Sequence, residues 1–187
     1  MKIKQWFISV VIFFAPFAIQ AGSWTLVPEE SQLSFTATQN GAPVSGEFKK
    51  FTGDFAIDLN DLPKSSMDVV VDISSLSVSY AELKTTLASA PWFDESKFPK
   101  AEYKSTKFTK VNDTIYQVDG LLTLRDKTLP LVLNFTADLK DPKKGVFVGT
   151  ALIKRTAFGV GQGEWSSVDA VKDDVAVHFK VVAVEKD

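Results

Sequence analysis

Residues Tyr80 to Pro99 read YAELKTTLASAPWFDESKFP. The first half has a helical period: Tyr80, Leu83, Leu87 and Ala88 fall on one face, with Glu82 and Lys84 off it. Pro91 is expected to end the helix just before it, because the residue preceding a proline avoids the helical region. Trp92, Phe93 and Phe98 then arrive together in a polar loop. Three aromatic rings are too much apolar surface to leave in water, so this loop is expected to seal something. On both sides the chain alternates like strands. One helix and an aromatic plug inside an otherwise all-strand chain predict a lid over the open end of a β-barrel.

Upstream, Trp24 to Val27 makes a short strand ended by Pro28, and Leu33, Phe35 and Ala37 alternate with Ser34, Thr36 and Thr38. Asn40-Gly41 signals a hairpin. Val44 to Leu59 is a second long strand stretch, in which Gly46 and Gly53 are read as bulges or bends. Met67, Val69, Val71 and Ile73 form one face of the next strand. Downstream, Ala101 to Val111 shifts phase between Tyr103 and Phe108, which predicts a bulge. Tyr116, Val118, Leu122 and Leu124 share a face. Leu129 to Leu139 gives the most regular alternation in the chain, with apolar residues at every odd position, and Val177, Phe179, Val181 and Ala183 close the series. About eight or nine strands joined by short turns favour an all-β antiparallel barrel, whose closure leaves no sticky edge. An eight-stranded barrel has room inside for side chains or one slim ligand.

Lys2 and Lys4 precede an apolar run from Trp6 to Ala18 that ends in small residues, so residues 1–21 read as a secretory signal peptide and 22–187 as one mature domain. Its removal changes 21 basic against 23 acidic residues to 19 against 23, a net charge of −4. That balance argues against nucleic acid and against an anionic membrane surface as steady partners, and leaves room for transient membrane contact. The expected location is periplasmic or secreted. The sequence has no cysteine, so one apolar core must supply the stability without disulfides.

Chemistry is scarce. The single histidine, His178, lies on the polar phase of its strand, and acidic pairs such as Asp173-Asp174 fall in turns. Gly159-Val-Gly-Gln-Gly163 lacks the lysine and hydroxyl residue of a phosphate loop and reads as a turn at the barrel mouth. No catalytic residue, metal site or cofactor is expected. The apolar wall is the remaining candidate: Phe35, Phe55, Met67, Val71, Leu122, Phe135 and Phe179 along the inside, with Trp92, Phe93 and Phe158 near the mouth. Small residues among them, Ala37, Gly120, Ala137, Gly149 and Ala151, would leave space for a guest. A filled core serving protein interaction is the alternative.

Several landmarks occur in order: Trp24-Thr-Leu-Val-Pro-Glu-Glu-Ser31, Gly46-Glu-Phe48 with Phe51-Thr-Gly53, Val71-Asp-Ile-Ser-Ser75, Trp92-Phe-Asp94 with Phe98-Pro99 and Ser105-Thr106, Gly120-Leu-Leu-Thr-Leu124, and Arg155-Thr-Ala-Phe-Gly159. Together they resemble the YceI-like family of exported polyisoprenoid-binding proteins. The resemblance implies an eight-stranded lipocalin-like barrel with an elongated pocket for a long isoprenoid tail, of polyprenyl or isoprenoid quinone type, and no catalysis. Arg155 is then a candidate head-group contact. Asp126 stands where the family's turn usually carries glycine, and is expected to take the left-handed conformation there.

Overall fold

A computed structural model describes residues 22–58, 61–141 and 143–185. The proposed signal peptide and residue Leu59 of the second strand stretch lie outside them. Eleven strand segments form one antiparallel sheet. They are β1 (Gly22–Leu26), β2 (Gln32–Gln39), β3 (Ala42–Phe48), β4 (Phe51–Ile57), β5 (Ser66–Asp72), β6 (Leu76–Val78), β7 (Lys100–Lys110), β8 (Ile115–Leu124), β9 (Lys127–Asp141), β10 (Lys144–Lys154) and β11 (Asp174–Glu185). Helix α1 spans Ala81–Ala88.

The eleven segments are eight long strands. β1 and β2 lie end to end along β11, Leu26 opposite Ala183 and Gln32 opposite Lys180. β3 and β4 continue one another alongside them, interrupted only at Lys49-Lys50. β5 and β6 do the same around a 3-10 turn at Ile73–Ser75. The remaining strands follow in chain order, and β11 pairs with both β1 and β2, so the sheet closes into an eight-stranded up-and-down barrel. The breaks have local causes. Pro28 cannot donate to a ladder and starts a 3-10 turn. Asp72 accepts from the Ser74 N–H and hydroxyl, which turns the chain between β5 and β6.

The phase shift in β7 is a bulge between Ser105 and Lys107, which lets both Tyr103 and Phe108 face inward. Gly46 and Gly53 are not bulges, since the register runs through both without interruption. They make room for rings. A Cβ on Gly46 would lie 2.6 Å from the Phe35 ring, and one on Gly53 would lie 2.5 Å from the Phe55 ring. Gly120 accommodates Tyr103 and Gly149 accommodates Phe179 in the same way, each at 2.4 Å. Aromatic side chains thus lie down over glycines on the wall instead of projecting across the barrel.

The turn after β8 also differs from expectation. Arg125, not Asp126, holds the left-handed conformation, with φ 56°. At the β2–β3 hairpin, Asn40 and Gly41 both have positive φ, as the asparagine–glycine pair predicts.

Candidate functional site

The barrel is hollow. A cavity of about 410 Å³ runs through it, and nearly every residue lining it is apolar. Inward-facing Leu33, Val71, Leu131, Leu133, Val177 and Phe179 are only half-buried although they point away from bulk water. Their residual exposure is exposure to this lumen. Of the wall residues read from the sequence, Phe35, Phe55, Met67, Val71, Leu122, Phe135 and Phe179 all line it, as do Trp92 and Phe93 at the helix end. Ala37 and Ala151 supply open wall between them.

The two ends differ. At the end holding β1's start and the β7–β8 turn, Leu26, Ile57, Phe108 and Phe147 are buried and line the cavity floor, with Trp24 and Tyr116 packed in the same core. At the other end lie α1, the aromatic loop and the glycine-rich loop. There Tyr80 and Glu82 are the two exposed residues in the lining, accompanied by half-buried Gln39, Val44, Leu83 and Thr86. The mouth therefore opens between the N-terminal turn of α1 and the β2–β3 hairpin.

Helix α1 is shorter than the predicted stretch. Tyr80 is its N-cap, makes no capping hydrogen bond and is 54% exposed, so the inward stripe is Leu83 and Leu87. The chain turns after Ala88 because successive N–H groups fold back: Trp92 and Asp94 donate to the Ser89 carbonyl and Phe93 donates to Leu87. Asp94 takes φ 50° in this turn. Trp92 is buried against Trp165, ring centroids 5.5 Å apart, and Phe93 packs edge-on against Phe48 at 5.8 Å. Phe98 parts from the other two. It lies under the Arg125 guanidinium, 5.4 Å from its ring, outside the lumen.

Two arginines hold this end together. Arg155 is 2% exposed, and its five N–H groups have five carbonyl partners. Nε donates to Lys172, Nη1 to Val160 and Gly161, and Nη2 to Ser167 and Val171, at 2.8–3.3 Å. The loop from Thr156 to Asp173 is wrapped around one side chain. Gly161 is required twice over, for its φ of 81° and because a Cβ there would meet Arg155 Nη1 at 2.3 Å. Burial pulls the guanidinium below its usual pKa, partly opposed by the charge of Asp173. Arg155 touches the cavity but has no donor left for a head group, so the expected contact is corrected to a structural clamp. Arg125 does the same work on the aromatic loop. Its Nη1 donates to the carbonyls of Ala90 and Trp92, and Nη2 lies 4.0 Å from Asp94. The loops are then joined directly, the Gly161 and Gln162 N–H groups both donating to Pro91 at 2.8 Å.

Phe158 is a second correction. It is 3% exposed and packed in the core beneath the glycine-rich loop, and it does not reach the lumen. Tyr103, which sequence reading left out of the wall, is the one phenol deep in the cavity lining. Its hydroxyl is shared between the carbonyls of Val118 and Leu131 at 3.1 and 3.2 Å, and burial, followed by the charge of Asp119, pushes its pKa well above the usual range. The signal for it was Gly120, its ring's partner on the next strand. His178 is exposed on the outer wall. Among the described residues no group of three His, Asp or Glu side chains converges to hold a metal. The lumen can surround an apolar chain; among the described residues its lining holds two charged groups, the clamped Arg155 and Glu82 at the mouth.

Residues 24–183 match the model of the YceI-like domain. A UPF0312 protein of Vibrio cholerae is 31% identical over 153 residues, covering 78% of this chain and 81% of that protein. The crystal structure of Burkholderia cenocepacia BcnA superimposes with a TM-score of 0.81 at 28% identity, covering 85% of this chain and 99% of BcnA. A polyisoprenoid binding domain from Saccharophagus degradans gives 0.71 at 13% identity, covering 89% and 99% of the two chains, which is a likeness of fold.

Proposed function

Because this chain belongs to the YceI-like family, we propose that it binds an isoprenoid lipid, of polyprenyl or isoprenoid quinone type, in the barrel lumen and acts as a non-catalytic carrier or buffer. The observation that carries the proposal is the hollow, almost wholly apolar interior, with aromatic rings laid flat against glycines so that the middle stays open. The similarity to a domain described as polyisoprenoid binding supports the same chemistry. An apolar chain entering the lumen gains about 0.8 kcal/mol per buried CH₂, or roughly 4 kcal/mol gross for a five-carbon isoprene unit. Ordering the chain consumes much of that. The filled-core alternative, a barrel serving only protein contacts, is weakened by a 410 Å³ void that side chains of ordinary size could have occupied.

We place the mature protein in the periplasm or outside the cell, after removal of residues 1–21, where it would meet its lipid by transient contact with a membrane. The test is organic extraction and native mass spectrometry of protein purified from its own periplasm. An isoprenoid lipid at near one per barrel is expected. Protein that emerges empty and takes up neither prenyl quinones nor polyprenols would overturn the reading.

A further inference from the structure

We propose that the lumen measures its guest: it takes the chain tail-first, encloses about three to four isoprene units, and leaves an uncharged head group between α1 and the β2–β3 turn. This rests on the reading above that the guest is an isoprenoid.

The floor sets the measure. Phe147 lines the floor and Arg155 the top, eight residues along one strand-and-turn path. At about 3.3 Å per residue and a strand tilt of about 40°, the lumen is roughly 20 Å deep. An extended isoprene unit advances about 5 Å, from four carbon–carbon bonds of about 1.5 Å each. Depth therefore admits about four units. Volume gives an independent figure. A protein cavity of about 150 Å³ holds one benzene, six carbons, so a five-carbon unit needs roughly 125 Å³ of cavity. A cavity of 410 Å³ then admits about three. Leu26, Ile57, Phe108 and Phe147 close the floor among the described residues, so further units have no way through.

The lining also sets the orientation. A head group driven to the floor would meet only the apolar side chains of Leu26, Ile57, Phe108 and Phe147, and the donors higher up are spent, the Tyr103 proton on two carbonyls and the Arg155 N–H groups on five. A buried carbonyl, hydroxyl or phosphate without a partner is costly, and a buried charge more so. At the mouth the same group finds water, Gln39 and Thr86, next to the carboxylate of Glu82. That carboxylate repels a phosphate and is indifferent to an alcohol or a quinone.

The test uses the delipidated mature protein and isoprenoid alcohols of two, three, four, six and eight units, delivered from cyclodextrin. Binding is read by tryptophan fluorescence and calorimetry. Affinity is expected to rise several-fold with each unit up to the fourth and then stop rising. Affinity that climbs on through six and eight units, or that ignores length from the start, overturns the measure. No binding at any length sinks the isoprenoid reading itself. Phe108→Ala is expected to lengthen the optimum by about one unit and Ala151→Leu to shorten it. Should the first variant not fold, the second and the native series still decide. For orientation, the phosphate monoester of the four-unit alcohol is expected to bind several-fold more weakly than the alcohol, and Glu82→Lys to close that gap. A gap that Glu82→Lys leaves untouched places the head group elsewhere and overturns the tail-first arrangement.

Discussion

The two ends of this barrel are closed by different physics. The floor is closed by side-chain bulk: Leu26, Ile57, Phe108, Phe147 and Tyr116 are all buried in the apolar core there, and Phe135 packs against both Tyr116 and Phe147. The mouth end is capped by irregular backbone, which cannot be buried until its carbonyls have donors. Arg125 and Arg155 supply them. Only two of the 21 basic residues are arginines, and both are in this cap. A planar guanidinium with five fixed donors can gather several carbonyls at once, which a lysine ammonium cannot. The lesson is that an apolar tube can be blocked by hydrocarbon, whereas an end left open is held by a few polar clamps.

The largest effect is expected at the floor. Phe108→Ala should cost about 3–5 kcal/mol, because a buried ring leaves a cavity the rigid wall cannot refill. Urea denaturation measures this, and a loss under about 1 kcal/mol would mean the floor is not a packed plug. Arg155→Lys should cost about 2–3 kcal/mol, with several carbonyls left unpaired. Its distinguishing mark is local: hydrogen exchange should quicken across 156–173 while Val118 and Phe147 remain protected. Uniform destabilisation would contradict the clamp.

Wall and cap glycines should respond differently to an added methyl group. Gly149→Ala would place a Cβ 2.3 Å from the Asn134 carbonyl and 2.4 Å from the Phe179 ring, at a cost of about 1–3 kcal/mol for overpacking. Gly163→Ala meets nothing within 4 Å and suffers only its φ of 63°, about 1–2 kcal/mol. Thermal unfolding of the two variants should rank them in that order.

Tyr103 predicts a pH dependence specific to the interior. Its folded pKa is raised by burial, so below the unfolded value of about 10 its contribution is whole. As the pH rises past that value the unfolded chain releases the proton and the folded one keeps it, and stability falls. The urea midpoint should drop above about pH 10, and Tyr103→Phe should flatten that limb. The smallest change is expected at the rim. Tyr80→Ala, at a side chain already 54% exposed, should shift stability by no more than about 0.5 kcal/mol.

Much of the wall was legible. The odd-numbered residues of β9 and the faces of β2, β5 and β11 point where strict alternation put them, because a closed sheet with a dry inside leaves a strand no other phase. The bulge in β7 was legible from its broken phase for the same reason. Phe158 misled because it lies in a 3-10 turn, where alternation carries no information and proximity in sequence to the mouth does not mean contact with it. Arg155 misled because a lone arginine beside an apolar slot looks free until its distant partners, Ser167 to Lys172, are folded around it.

From the sequence alone came the run of alternating strands, their inward faces, the helix with its aromatic loop and the absence of disulfides, since all of these are set by near neighbours or by composition. Only the tertiary structure decided that the middle is hollow, which end is blocked and which is open. Those outcomes depend on whether a ring on one strand lies over a glycine on the next, and on which carbonyls meet which guanidinium. Such choices are made between residues far apart in the chain, where a one-dimensional pattern has no term for them.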